Sequence, residues 1–289
     1  MIQIDRAFVR LPQGLVHLRR VEGGGRPLVL VHASPGSSRA LVPLLSALSA
    51  AKGCPLLIAP DTPGNGDSDG FAPDDPDMDW YADTLADLLD TMGIEQCDLY
   101  GTHTGVRIAI EAAVRHPDRI GRLILDGLAD YPPETRDLFL KQYAPEMAPD
   151  DYGGQFAWAF NYIRDQVVHF PHFLRDPEHR LMTRAMPSAA DLHAATLDVL
   201  KGLTSYHKAY RAAFRYPATE RLPLVKAETL VWRAEGELPE LCAASDGLAA
   251  LLPNGRIEDV GRTAGAKAAS ILRFLRPGPR NESGVTIQP

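Results

Sequence analysis

The sequence has few cysteines, an excess of acidic over basic residues, and no long apolar run. Its three cysteines are widely separated among 289 residues, which excludes a disulfide framework or a zinc site and predicts reduced thiols. A formal net charge of −7 argues against the basic surface of a nucleic-acid-binding protein. The N-terminus carries no apolar segment of the signal-peptide type, and no run reaches membrane-spanning length. We therefore expect a cytoplasmic protein that binds neither nucleic acid nor a membrane.

What the chain does contain is an alternation of short apolar runs with longer amphipathic stretches of helical period. The strand-like runs are residues 14–21, 27–33, 55–61, 97–103, 122–127, 227–236 and 255–261. The helical stretches are residues 38–51, 78–93, 104–116, 239–252 and 267–275. This order predicts an α/β protein whose central sheet is mostly parallel and is covered by helices on both faces.

The alternation is interrupted between residues 130 and 225, where only helical periodicity is found. This segment holds 14 of the 21 aromatic residues of the chain, among them Trp158. The aromatic side chains either pack the segment on the rest of the protein or line an apolar pocket beneath it, and Trp158 is a candidate for such a lining. The predicted division is a core of residues 1–129 and 226–276, a helical lid at 130–225, and a loose polar tail at 277–289.

The most informative motif is "GTHTG" at residues 101–105, at the end of a predicted strand and the start of a predicted helix. Glycines at this spacing allow a strand to turn sharply into a helix, so that the middle residue is strained and exposed above the sheet. In the G-x-S-x-G form of this motif that residue is the attacking group. Here it is His103.

Several further stretches stand in a characteristic order around this motif. They are "LVHASPGSS" (30–38), "IAPDTPGNGDSDG" (58–70), "HPDRIGRLILDG" (116–127) and "TLVWRAEGE" (229–237). On these residues the chain resembles the α/β-hydrolase-fold superfamily, in its lid-bearing esterase, haloalkane dehalogenase and epoxide hydrolase branch. The resemblance covers roughly residues 5 to 275 and implies the α/β-hydrolase fold.

The resemblance also implies roles for the residues that match the family motifs. His32, Ala33 and Ser34 correspond to the loop after the third strand, with Ala33 in place of the usual glycine. The backbone N–H groups of Ser34 and Thr104 would form the oxyanion hole. His103 holds the position of the nucleophile.

The acid and the base of the family are harder to assign in this sequence. The resemblance implies Glu237 as the acid, with Glu235 one register away, or a relocated acid at Asp126 or Asp130. The general-base histidine of the family follows the last strand, but no histidine occurs after His207. Serine and its base are therefore both missing.

The two losses are chemically connected. A serine hydroxyl is protonated at neutral pH and needs an adjacent base, whereas imidazole is largely neutral and attacks or accepts a proton unaided. His103 is then either a nucleophile or a general base, and its ring size favours the second role. In both cases Asp126 or Glu237 would have to orient the far ring nitrogen.

Two lid histidines, His169 and His172, are further candidates for contact with a substrate. Their spacing would also suit two metal ligands, but Pro171 between them disfavours a helix and no further ligand cluster is evident, so we expect no metal. The glycines at residues 64, 66 and 70 do not fit a phosphate-binding loop, and we expect no cofactor.

Taken together, these features predict a cofactor-independent enzyme that hydrolyses a small, largely apolar carbonyl substrate or cleaves its C–C or C–O bond with the help of a base. We expect a monomer or a homodimer. The alternative is a catalytically inactive ligand-binding or interaction protein on the same scaffold, because a fold alone does not imply a function.

Overall fold

The computed structural model describes residues 3–181 and 185–276, without the side chains of residues 239 and 240. Its strands are β1 (Asp5–Arg10), β2 (Leu15–Val21), β3 (Leu28–Val31), β4 (Leu57–Pro60), β5 (Cys97–Thr102), β6 (Ile120–Asp126), β7 (Glu228–Ala234) and β8 (Gly255–Val260). Its α-helices are α1 (Val42–Ser49), α2 (Met78–Thr91), α3 (Thr104–Arg115), α4 (Pro133–Gln142), α5 (Gly154–Val168), α6 (Ala189–Lys201), α7 (Tyr206–Arg215), α8 (Ala218–Arg221), α9 (Pro239–Ala249) and α10 (Ala264–Leu275).

The strands form one eight-stranded sheet in the order β1-β2-β4-β3-β5-β6-β7-β8. Strand β2 runs antiparallel to both β1 and β4, and the pairs from β4 to β8 are parallel. This arrangement confirms the predicted α/β class with a mostly parallel sheet. Because parallel strands end at the same edge of a sheet, the loops after β3, β5, β6 and β7 meet at one edge.

Both faces of the sheet are covered, which explains why its strands read as continuous apolar runs. In β3, Leu28 and Leu30 pack into a core shared with helices α1 and α10, whereas Val29 and Val31 pack into a second core with α2 and α3. Successive side chains of a strand point to opposite faces, so a fully apolar strand supplies both cores at once.

The segment between β6 and β7 contains helices α4 to α8 and an aromatic cluster of its own. Its buried members are Phe139, Ala144, Ala159, Tyr162, Val199, Tyr206, Tyr210 and Phe214. Aromatic side chains bury large areas, and the ring contacts within this cluster are mostly edge-to-face or tilted. The aromatic richness of the segment therefore serves in large part to pack it internally.

The observed elements differ from the sequence prediction at several places. Strand β1 was not predicted, and α10 begins at Ala264 rather than at residue 267, with the Thr263 side chain accepting a hydrogen bond from the Ala266 N–H. The predicted tail at 277–289 lies outside the described residues. In the part of the chain that is described, no helix is long and apolar enough to cross a membrane.

A buried ion pair ties the end of the inserted segment to the core. Glu111 of α3 is fully buried, and it accepts hydrogen bonds from the Arg221 guanidinium at 2.6 and 2.9 Å and from the Tyr216 hydroxyl at 2.9 Å. The carboxylate is thus satisfied only while α8 stays docked on α3.

We expect Arg221→Met to lower the free energy of unfolding by about 3 kcal/mol, because it leaves the Glu111 carboxylate buried with one hydroxyl donor. Urea denaturation followed by circular dichroism measures the change. Arg211→Met is the matched control: its partner Glu146 is exposed and can be hydrated, so the midpoint should stay close to that of the wild type. Equal losses in the two variants would contradict this assignment.

Candidate active site

His103 lies at the apex of the turn between β5 and α3, with φ 48° and ψ −106°. Among the described residues it is the one non-glycine with a positive φ, a conformation that costs roughly 1–3 kcal/mol. A β-carbon at Gly101 would collide with the backbone of Gly105, and one at Gly105 would collide with the carbonyl of Val31. The two glycines therefore allow the crossing that forces His103 outward, where its side chain is 45% exposed.

The backbone of the turn is held from two directions. The His103 N–H donates to the Asp126 carbonyl at 2.9 Å. The buried guanidinium of Arg107 donates to the His103 carbonyl at 2.9 Å and to the Ala129 carbonyl at 2.7 Å. Burial lowers the pKa of Arg107, and its carbonyl partners supply the hydrogen bonds that a buried cation requires.

Glu237 reaches the imidazole from the loop after β7. Its Oε2 lies 3.3 Å from His103 Nε2, and its Oε1 accepts a hydrogen bond from the Leu238 N–H at 2.8 Å. The Glu237 side chain is only 11% exposed, so the carboxylate is fixed where it faces the ring.

The other ring nitrogen, Nδ1, lies beside Gly127 at the end of β6. A β-carbon at Gly127 would lie 2.7 Å from Nδ1, so this edge of the ring packs close to the Gly127 backbone, where only a glycine fits. A carboxylate that accepts from Nε2–H fixes the tautomer and leaves the lone pair on Nδ1. The structure thus places the Glu237 carboxylate beside one ring nitrogen of His103 and the Gly127 backbone beside the other.

The carboxylate of Asp126 has different partners. Its Oδ2 accepts from the Tyr100 hydroxyl and from the Lys267 ammonium, each at 2.6 Å. Burial, and next the charge of Asp126, raise the pKa of Tyr100 well above its ordinary value, so the phenol stays a donor. Lys267 comes from α10, in the segment that follows the last strand.

The two remaining candidates for the acid, Asp130 and Glu235, also have hydrogen-bond partners other than His103. Asp130 accepts hydrogen bonds from the Thr219 hydroxyl at 3.0 Å and from Arg136 at 3.2 Å. Glu235 accepts from the Arg262 N–H at 3.4 Å. Of the four carboxylates considered from the sequence, Glu237 is the one whose oxygen the structure places beside the His103 ring.

The loop after β3 is built around a neutral histidine. The Nε2 of His32 accepts from the Thr62 N–H at 3.0 Å, and its Nδ1 lies 2.9 Å from the Ala33 carbonyl, to which it donates. Burial lowers the pKa of His32, which keeps this arrangement uncharged at neutral pH. His32 and Ala33 thus shape the loop that carries Ser34.

From the sequence we expected the Ser34 N–H to be an oxyanion-hole donor, available to a substrate. In the structure this N–H already has an acceptor. It donates to the Thr104 Oγ1 at 2.6 Å, and both residues are buried. The structure brings residues 34 and 104 together, and the Thr104 hydroxyl takes up the loop amide. This bond joins residues 70 positions apart, and no local sequence pattern indicates it.

The three lid candidates lie within the inserted segment. Trp158 stacks on Tyr162 with 4.9 Å between ring centroids, and the buried His172 has its Nε2 2.8 Å from the Tyr143 carbonyl. Burial lowers the pKa of His172. His169 forms an isolated bridge with Arg180. Within residues 3–181 and 185–276, none of the three makes a hydrogen bond, ion pair or ring contact with His103.

A polar cluster next to this loop was not predicted from the sequence. The Nδ1 of the buried His17 lies 2.8 Å from the Asp61 Oδ2, and Asp67 is near enough for the three to surround a small cation. However, Arg6 donates to both His17 and Asp67, and Lys201 of α6 contacts the second oxygen of Asp67 at 2.5 Å. These cations already contact His17 and both carboxylate oxygens of Asp67, and Asp61 is paired with His17, so the cluster fits an ion-pair network better than a metal site.

Comparison with known proteins identifies the family of the chain. Residues 26–258 match the family model described as alpha/beta hydrolase fold. The chain belongs to this family. Among solved structures, epoxide hydrolase A from Mycobacterium thermoresistibile superposes with a TM-score of 0.70 at 18% identity, covering 94% of this chain and 98% of that one. A thermophilic esterase from Thermogutta terrifontis superposes with a TM-score of 0.66 at 20% identity, again over 94% and 98% of the chains.

Sequence similarity to curated relatives is confined to part of the chain. The 2-hydroxymuconate semialdehyde hydrolase of Pseudomonas sp. (strain CF600) is 37% identical over 113 residues, which is 37% of this chain and 38% of that protein. The chain thus spans less than half the length of the curated relatives it matches. The structural neighbours, below 25% identity, support the shared fold.

The lowered pKa of His32 predicts that the stability of the protein depends on pH. Because the folded state holds this histidine neutral, protonation of the unfolded chain below its ordinary pKa of about 6.5 favours unfolding, so stability is present above that pH and falls below it. We expect a loss of up to about 1.4 kcal/mol per pH unit from this histidine, with His172 acting in the same direction. Urea denaturation at pH 7.5 and 5.5 should show a smaller drop for His32→Asn than for the wild type; an identical drop would contradict the assignment.

Proposed function

We propose that the protein is a cofactor-independent hydrolase for small, largely apolar carbonyl compounds, with His103 as its general base. The observation that carries this proposal is the pairing of a half-exposed imidazole at the apex of the turn with the nearly buried carboxylate of Glu237, 3.3 Å away. A half-exposed imidazole with a carboxylate fixed beside one ring nitrogen combines an accessible ring with an orienting acid, which are the features that general-base catalysis needs.

The proposed reaction needs no group beyond the chain and water. The His103 imidazole takes a proton from a water molecule as the water oxygen forms a bond to the carbonyl carbon of the substrate. The carbonyl π electrons move to its oxygen, and hydrogen-bond donors stabilise the resulting oxyanion. When the tetrahedral intermediate collapses, the C–O or C–C bond breaks, and the imidazolium returns the proton to the leaving group. Glu237 stabilises the imidazolium between the two transfers.

The relatives support a carbonyl substrate. The Pseudomonas relative is named as a hydrolase of 2-hydroxymuconate semialdehyde, and one of the structural neighbours is an esterase. Both names describe hydrolysis of a compound with a carbonyl group. We propose that the aromatic segment at 130–225 acts as the lid that covers such a substrate.

We expect His103→Ala to reduce kcat/KM by roughly 100- to 10,000-fold, which is the contribution of a positioned general base. The measurement is steady-state hydrolysis of 4-nitrophenyl acetate, butyrate and hexanoate, together with 2-hydroxymuconate semialdehyde. Equal and negligible rates for wild type and variant on every compound would favour a non-catalytic ligand-binding protein. We also expect His103→Ser to lack esterase activity, because no histidine is present to act as the base for the serine. A gain of esterase activity in this variant would contradict our explanation for the joint absence of the serine and its base histidine.

A second pair of variants identifies the orienting acid. We expect Glu237→Gln to lower kcat at least tenfold, because an amide can offer its own N–H to Nε2 and favour the wrong tautomer. The comparison is the double variant Asp126→Asn with Lys267→Met, which removes the other carboxylate together with its cation. Rates on the best substrate of the panel, measured from pH 6 to 9, should fall more for Glu237→Gln. The reverse order would assign the acid to Asp126.

A further inference from the structure

The hydrogen bond between the Ser34 N–H and the Thr104 hydroxyl has a consequence for the site. Its N···O distance is 2.6 Å, and the two residues are 8% and 6% exposed. Thr104 is the first residue of α3 and directly follows His103. The hydroxyl therefore lies between the loop after β3 and the turn, where the family pattern would place the oxygen of a reacting substrate.

The hydroxyl of Thr104 still has a hydrogen to donate. A threonine Oγ1 offers one O–H donor besides its lone pairs, and the Ser34 N–H uses one lone pair. Within the described ranges 3–181 and 185–276, no carbonyl or carboxylate accepts from this hydroxyl, and no other residue bonds to it. Since Thr104 opens its helix, its backbone N–H also lacks a partner in the preceding turn.

A hydroxyl that accepts a hydrogen bond becomes a better donor, because the two bonds polarise the group in the same direction. The Ser34 amide would thus act on a substrate through the Thr104 oxygen. The nitrogens of an imidazole ring are farther from the β-carbon than a serine Oγ is. With His103 at the turn, the reacting carbon of a substrate would therefore lie farther from the backbone than it does with a serine. A hydroxyl that extends beyond the Ser34 amide could reach the oxygen of a substrate in that position.

We propose that the Thr104 hydroxyl, held by the Ser34 N–H, is the side-chain donor that binds the substrate carbonyl oxygen and stabilises the oxyanion formed from it. The inference rests on the proposed function and adds a specificity: the site takes a carbonyl oxygen, or a tetrahedral anion that resembles its adduct, at a hydroxyl rather than at a backbone amide. Thr104 is then a catalytic residue through its side chain.

The competing explanation is that the hydroxyl blocks the site. In that case it occupies the place of the substrate oxygen, and its removal would release the Ser34 N–H for direct contact. The two explanations predict opposite effects for removal of the hydroxyl, which makes them separable by substitution.

The kinetic test compares Thr104→Ser, which keeps the hydroxyl, with Thr104→Val, which keeps the shape. We expect kcat of Thr104→Val to fall roughly 100-fold with little change in KM, as for the loss of one oxyanion donor, and Thr104→Ser to stay near the wild type. Thr104→Ala also removes the hydroxyl but does not put the second methyl group of valine in its place. It replaces Thr104→Val in the test if the valine variant does not fold. An unchanged or higher kcat in the valine or alanine variant would overturn the inference.

A binding test separates this inference from the proposed function. Phenylphosphonate, a tetrahedral oxyanion, is titrated into the intact wild type and the three Thr104 variants by isothermal titration calorimetry. We expect affinity to fall about tenfold in Thr104→Val and Thr104→Ala and to persist in Thr104→Ser, a difference typical of one lost hydrogen bond to a charged group. If His103→Ala has no effect on hydrolysis, the proposed function is wrong. The titration still shows in that case whether the Thr104 hydroxyl binds an oxyanion. Equal affinity in all four proteins, or tighter binding without the hydroxyl, would refute that role.

Discussion

The candidate site depends on a single backbone constraint, the close packing of the start of helix α3 against the ends of strands β5 and β3. This packing is possible only because Gly101 and Gly105 carry no β-carbon, and it leaves His103 with a positive φ. A bulky residue adopts this conformation only where the surrounding structure determines it. Here the determinants are on both sides of the turn: the Asp126 carbonyl accepts from its N–H, and the Arg107 guanidinium holds its carbonyl. The strain and the exposure of the imidazole thus have the same origin.

Those parts of the molecule that depend on short stretches of sequence could be predicted from it. The apolar runs of β3, β5 and β7 are continuous because both faces of each strand are buried, and the glycine spacing of the turn falls within five residues. Strand β1 escaped prediction because it lies at the edge of the sheet, where its residues alternate only between partly buried and exposed. A half-exposed edge strand with several charged residues lacks the apolar signal of a buried one.

The choice of the acid could not be read from the sequence for a different reason. Asp126 and Glu237 follow neighbouring parallel strands, β6 and β7, so both were expected at the same edge of the sheet. What separates them is Lys267, which lies 141 positions from Asp126 in sequence and reaches it only after α10 has packed. The bond between Ser34 and Thr104 is likewise a product of tertiary packing. Local motifs identified the two acids, Ser34 and Thr104, whereas Lys267 and all of these pairings became evident only in the fold.

The pairing with Lys267 also has an electrostatic consequence for the proposed base. Burial is the main cause of the raised pKa of Tyr100, and the charges of Asp126 and, more weakly, of Glu237 act in the same direction, so both carboxylates lie near this phenol. Two unpaired carboxylates in a region of low dielectric constant would repel each other. With the Lys267 ammonium on Asp126, that pair is neutral, and Glu237 remains to interact with the imidazole. In the proposed reaction, the positive charge that His103 would gain with the proton meets the negative charge of Glu237, so the proton transfer would create no unpaired charge in the site.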